Sequence, residues 1–177
     1  MLCGNLLEGA DGIGGEFGHL TVVVGGRQCT CGNRGCLEAY CGGWAIAERA
    51  REAALADRAA GAALLRLSLT PDHITGVTVA AAVHAGDPLA RRIMDETAEV
   101  LGYGVVGLVN ALNPRRVIMG GGVLDGFPEL LDRAAVIVRE RALPAARAVE
   151  FARAGLADDA PALGAADLAL TRLRARG

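Results

Sequence analysis

The sequence predicts an α/β domain, and three observations carry that reading. Short β-branched or alternating runs at Leu20–Val24, Val117–Met119 and Val149–Arg153 lie between long stretches of helical periodicity. The composition, 52% hydrophobic and 21% charged over 177 residues, suits a single soluble domain over 1–177 with a real core. Aromatic residues are only 3%, so Ala, Val, Leu and Ile must build that core.

Taken in order, Met1–Gly14 is glycine-rich. Met1-Leu2-Cys3 runs into the turn signal Gly4-Asn5 and then Leu6-Leu7-Glu8-Gly9, which reads as the end of a hairpin whose first strand is mostly absent. Leu20–Val24 is β-branched and predicts a strand. Leu37, Tyr40, Trp44 and Ala47 stand at helix spacing, with a break or bend demanded by Gly42-Gly43. Ala45–Leu69 predicts a further helix with a weak point at Gly61. Thr70-Pro71-Asp72 is a helix start, and that helix runs through His84 to Ala85-Gly86.

Asp87-Pro88 pairs an N-cap with proline at the first helical position. The helix it opens carries Leu89, Ile93, Val100, Leu101, Val105, Leu108 and Leu112 and stops before Asn113-Pro114. Its second half is apolar nearly all round, with glycine at 102, 104 and 107, as a central, closely approached helix should be. Val117–Met119 predicts a short buried strand that leads into Gly120-Gly121-Gly122. A helix over about 128–141, a strand at Val149–Arg153 and a last helix over about 160–174, capped by Asp158-Asp159, complete the chain.

A formal net charge of -2 argues against a nucleic-acid partner, which would need a basic surface. No apolar run reaches the length of a membrane span, and MLCGNLLEGADG lacks the layout of a signal peptide. The expected compartment is the cytoplasm, where the five cysteines read as thiols or metal ligands in preference to disulfides.

Three of those cysteines fall in Gly15–Glu38. His19, nine residues, Cys29, one residue, Cys31, four residues, Cys36 supplies one imidazole and three thiols, the donor set of a closed tetrahedral zinc site. Zinc is borderline-soft and suits these donors better than magnesium or calcium would. Gly25, Gly26, Gly32 and Gly35 let the backbone converge. Cys3 and Cys41 lie outside the spacing and read as packing residues. A closed site supports folding, so the chemistry belongs beside it.

Beside it stand Glu16 and Glu38. Carboxylates on a metal-fixed loop are suitable acceptors for the hydroxyls of a polyhydroxylated ligand. On spacing alone, two solvated glutamates, with Glu38 favouring a helix start, explain the pattern equally well. Gly120-Gly121-Gly122, after a strand and before a helix, suits either a phosphate or nucleotide approach or a plain tight connection, and matches no dinucleotide or Walker fingerprint. His73, His84 and Arg115-Arg116 read as surface residues.

The block GGEFGHLTVVVGGRQCTCGNRGCLEAY closely resembles the signature of the ROK family, bacterial sugar kinases and sugar-responsive repressors. LVNALNPRRVIMGGGV and AGLADDAPALGAADLAL are similar to later segments of the same family. The resemblance implies an actin-like, ribonuclease-H-like fold of two α/β domains with the active site between them, of which this chain is the C-terminal, sugar-binding half. It implies zinc on His19, Cys29, Cys31 and Cys36, sugar contacts from Glu16, His19 and Glu38, and a nucleotide near Gly121 and Gly122. ATP with magnesium is the implied co-substrate and a hexose, glucose by preference, the implied acceptor. His19 can serve both metal and sugar through its two ring nitrogens.

Family kinases also carry an Asp-x-Gly-Gly-Thr phosphate loop, an Asn-Asp pair whose Asp is the general base, and a Gly-Thr-Gly loop. None is found here, so no catalytic residue is assigned in this chain, and the base is expected upstream of Met1. The expectation is a truncated kinase with little or no activity alone, exposing its cleft face and self-associating as a homo-oligomer. The alternative is the sugar-sensing effector domain of a ROK transcriptional repressor. A nucleic-acid zinc finger is disfavoured by charge and by the shortage of aromatics.

Overall fold

Alanine-rich helical periodicity becomes real helix wherever glycine and local capping permit, and the helices carry the site. In the computed structural model, residues 6–156 and 159–174 are described. Helices α1 (Glu38–Cys41) and α2 (Gly43–Ala56) are split at Gly42, whose extended backbone (φ -67°, ψ 146°) makes the expected break. The long helix expected over 45–69 divides before Gly61. Asp57 turns extended and its Oδ1 accepts the N–H groups of Ala59 and Ala60, both at 3.0 Å, so α3 (Ala62–Ser68) starts afresh.

Helix α4 (Gly76–His84) begins later than Thr70-Pro71 suggested. Pro71–His73 forms only a 3₁₀ turn, and the start belongs to a reciprocal capping box between Thr75 and Thr78. Helix α5 (Pro88–Leu112) begins as expected, with Asp87 Oδ1 accepting from the Ala90 N–H at 2.8 Å, and ends at Asn113 in the left-handed region (φ 43°). It is the central helix: a Cβ on Gly102 would collide with Ile137, and one on Gly104 with Leu37. Gly107 has open space before it, so close approach explains only two of the three glycines.

Strands β1 (Arg116–Met119) and β2 (Glu150–Arg153) pair in parallel, Val117 beside Phe151 and Met119 beside Arg153. Helices α6 (Gly122–Gly126) and α7 (Glu129–Arg141) form the crossover between them, and α7 packs along α5. The last helix, α8 (Ala160–Arg174), exposes Leu163, Leu170 and Leu173 and is tied back by an Arg172–Glu8 ion pair. One apolar core joins Ile46, Leu64, Ile74, Val79, Ile93 and Phe127; a second joins Val105, Val109, Val138 and Val149 beneath the strands. Burying each such large side chain contributes about 1.5–3 kcal/mol. Arg49, 8% exposed, binds the Tyr40, Ile93, Thr97 and Glu96 oxygens and so locks α1 and α2 onto α5.

Three expectations are corrected. Leu20–Val24 is no strand: only isolated antiparallel bridges, Thr21 with Cys36 and Gln28 with Arg34, form there, because each segment turns away at a glycine before a ladder can extend. Val117–Met119 is not buried, since Ile118 is 63% exposed and β1 has a partner on one edge only among the described residues. Residues 6–14 contain no hairpin strand but a loop closed by the Gly14 N–H on the Glu8 carbonyl at 2.7 Å. Cys3, Gly4-Asn5 and Asp158 lie outside the described residues. Among the described residues no helix is long and apolar enough to cross a membrane.

Candidate functional site

The glycine-punctuated loop between Leu20 and Leu37 closes on itself through its backbone. Val22 and Val23 both donate to the Gly35 carbonyl, at 2.8 and 3.2 Å, and Gly35 donates to Arg27 at 2.7 Å. Gly35 sits at φ 79°, and a Cβ there would fall 1.7 Å from the Val23 oxygen, so only glycine fits. The loop is pinned to the helices by Arg27. Its backbone N–H donates to the Tyr40 hydroxyl at 2.9 Å, and its guanidinium forks onto Glu52 with two 2.8 Å bonds.

This closure brings His19, Cys29, Cys31 and Cys36 together, with one donor atom from each, all within 4.8 Å of one another. Cys29 Sγ lies 3.7 Å from His19 Nδ1, and Cys31 Sγ 3.7 Å from Cys36 Sγ. Tetrahedral zinc with Zn–S of about 2.3 Å and Zn–N of about 2.05 Å requires edges of about 3.8 Å between sulfurs and about 3.6 Å from sulfur to nitrogen. Those two observed edges are therefore the size that a zinc ion needs.

The acid–base chemistry of the thiols points the same way. The Cys29 thiol is lowered to about 7, first by the backbone N–H of Cys31 and then by hydrogen bonds from Cys31 and His19. Cys36, fully buried, is pushed up to about 12 by that burial and by the neighbouring sulfurs. Three sulfurs this close cannot all ionise without a cation among them. Cys41 stands apart, as expected. Its thiol faces the Thr97 carbonyl at 3.6 Å and is raised to about 12 by burial.

Glu16 and Glu38 flank the cluster on opposite sides of the imidazole. Glu38 Oε2 lies 3.5 Å from His19 Nδ1, and Glu16 Oε2 lies 4.0 Å from Nε2. With Nδ1 turned to the sulfurs, Nε2 and the Glu16 carboxylate are left facing outward. Glu38 opens α1, while Glu16 precedes a 3₁₀ turn at Phe17–His19. Spacing treated Trp44 only as a helix-face residue, yet its indole N–H donates to Glu38 Oε1 at 3.0 Å. No periodicity argument finds that contact, because it depends on the break at Gly42.

Gly121 (φ 104°) and Gly122 join the same neighbourhood. A cleft of about 800 Å³ is lined by Phe17, Gly18 and Leu37 together with Gly120, Gly121 and Gly122. The helix that follows, α6, has only five residues, which makes its N-terminus a weak anion anchor. Gly122 also borders a smaller, mainly apolar cavity of about 540 Å³ with Ile46, Gly76, Val77, Val123 and Phe127. Sequence reading missed this cavity, since its walls come from three separate helices, α2, α4 and α6, with Phe127 just after the last.

The model of the ROK family matches residues 1–172. The chain belongs to the ROK family. A glucokinase of Halalkalibacterium halodurans is 36% identical over 166 residues, covering 91% of this chain and 49% of that protein. A xylose repressor of Bacillus subtilis is 27% identical over 167 residues, covering 94% of this chain and 39% of that protein. Among solved structures, a ROK family glucokinase from Streptomyces griseus in complex with glucose and AMPPNP superposes with a TM-score of 0.73 at 33% identity. That match covers 89% of this chain and 51% of the other. The chain thus spans about half the length of the glucokinases it matches. Its α/β fold is that of the ROK family.

Proposed function

We propose that this ROK chain supplies the sugar-gripping, zinc-stapled part of a glucokinase-type kinase, which transfers the ATP γ-phosphate to a hexose hydroxyl. The observation that carries the reading is the mounting of Glu16, His19 and Glu38 around one four-donor cluster, on a loop that shares a cleft with Gly120–Gly122. Zinc on His19 Nδ1 and the three thiolates would hold the loop rigid, its chemistry being structural. Rigidity matters because hydroxyl recognition depends on acceptors that cannot reorient to accommodate the wrong epimer.

His19 Nε2 and the two carboxylates then present one nitrogen and fixed oxygens to the sugar. The cavity beside Gly122 has apolar walls suited to a nucleoside base, which would bring ATP to the other side of the cleft. The related glucokinase, in complex with glucose and AMPPNP, supports both halves of this reading. Phosphoryl transfer needs positioning, charge neutralisation by Mg²⁺ and a base on the acceptor hydroxyl. Glu16 and Glu38 are assigned as hydroxyl acceptors, with no base among the site residues, so the chain by itself is proposed to bind hexose with little turnover.

The test is calorimetry of the zinc-loaded chain against a panel of hexoses, with Glu16→Gln and Glu38→Gln beside it. Glucose binding that weakens at least tenfold in each variant supports the reading. A wild-type chain that holds zinc and binds no hexose overturns it. The xylose repressor relative favours a second reading, a sugar-sensing effector domain. That reading requires sugar binding without nucleotide binding, so a non-hydrolysable ATP analogue separates the two.

A further inference from the structure

Trp44 is the only tryptophan in the chain, and it lies six residues after Glu38. On one continuous helix, residues six apart lie on different faces; adjacent side chains on one face are three or four apart. They meet here because Gly42 breaks the helix between α1 and α2. A Cβ at Gly42 would lie 2.8 Å from the Glu38 carbonyl oxygen, 3.1 Å from Glu38 Cγ and 3.2 Å from Trp44 Nε1. The missing side chain is thus the space through which the indole reaches the carboxylate.

The resulting bond divides the work of the two Glu38 oxygens. The indole N–H can only donate, and it takes Oε1 at 3.0 Å. Oε2 points to the imidazole side, 3.5 Å from His19 Nδ1 and 4.0 Å from Cys29 Sγ. Both of those atoms belong to the four-donor cluster. Once they serve a metal, Oε2 is the Glu38 oxygen left to accept a hydroxyl. The indole, 37% exposed, lines an open cleft of about 640 Å³ together with Arg27, Gln28 and Arg34.

We infer that Trp44 is a positioning residue that holds Glu38 in one orientation, so that a single carboxylate oxygen meets a single sugar hydroxyl and epimers at that hydroxyl are rejected. The inference rests on the sugar-binding reading above. Without the indole N–H, the Glu38 carboxylate is free to rotate about its terminal torsion, which is broad for this side chain. A rotating acceptor serves a hydroxyl of either configuration and loses discrimination along with affinity.

The experiment uses the zinc-loaded chain and two variants, Trp44→Phe, which keeps an aromatic ring but no donor, and Glu38→Ala. Calorimetry with glucose and its single-hydroxyl epimers gives affinities, metal analysis gives the zinc content, and the ¹H–¹⁵N spectrum follows the one indole resonance. The expected result is about tenfold weaker glucose binding in Trp44→Phe, a smaller ratio between glucose and one epimer, and unchanged zinc. The indole resonance should move in Glu38→Ala and on adding glucose to the wild type.

If Trp44→Phe binds glucose within about twofold of wild type, or if the indole resonance is unmoved in Glu38→Ala, positioning by Trp44 is overturned while the sugar reading stands. If Trp44→Phe loses zinc, the residue is structural and the inference is overturned as well. A wild-type chain that binds none of the sugars overturns the sugar reading and this inference together.

Discussion

Metal uptake by the four-donor cluster should release a defined number of protons, and the thiol environments set that number. The perturbation is titration of zinc into the metal-free chain at pH 7. With its thiol lowered to about 7, Cys29 is about half ionised there and must release about half a proton to become a full ligand. Cys36, raised to about 12, is fully protonated and must release about one. Uptake at pH 7 therefore releases at least about 1.5 protons from these two thiols.

The sign follows from the same shifts. Below pH 7 both thiols give up a proton, so log affinity should rise with pH at a slope of at least about 2. Above about pH 8 Cys29 is already thiolate, and the slope should fall by about one. Calorimetry in buffers of differing ionisation enthalpy counts the protons, and competition with a coloured chelator gives the slope. Release of less than about one proton, or an affinity flat from pH 6 to 8, would refute thiolate ligation by Cys29 and Cys36. Magnesium and calcium, which prefer oxygen donors, should cause no release at this cluster.

Other outcomes follow from the same geometry. Cys36→Ser should abolish stoichiometric zinc and raise hydrogen exchange across residues 20–37, while helices α2 to α5 keep their protection. Gly35→Ala must force a side chain into φ 79° and against the Val23 oxygen. Loss of at least ~2 kcal/mol is expected, read as roughly thirtyfold weaker zinc binding. Arg49→Met removes the bonds to the Tyr40, Ile93 and Thr97 oxygens and strands little charge, because Glu96 stays half exposed. About 3 kcal/mol of stability, or about 6–12 °C in Tm, should be lost; a loss under about 1 kcal/mol would show that the network is not holding α1 and α2 to α5.

Much of the fold was legible because local rules decide it. The Asp87-Pro88 cap, the stop at Asn113 and the break at Gly42-Gly43 all act within a few residues, and all appear where the sequence placed them. The misreadings share one cause. Leu20–Val24 has strand composition but pairs only at isolated bridges, and Val117–Met119 has core composition with Ile118 in solvent. Composition reports what a segment can do. Pairing and burial depend on which partners the rest of the chain brings to it.

The site divides along the same line. The sequence by itself determined the donor set, since His19, Cys29, Cys31 and Cys36 are chemically matched and close in the chain, and glycines at positions such as Gly35 permit the loop to close. It also placed Glu16 and Glu38 beside that set. Only the tertiary structure decided how those carboxylates are aimed. The Glu38 orientation depends on an indole brought back by a helix break, and the meeting of Phe17 and Gly18 with Gly120–Gly122 depends on packing about α5. Identity and spacing are written in the chain, whereas the direction of a side chain is set by neighbours that only folding assembles.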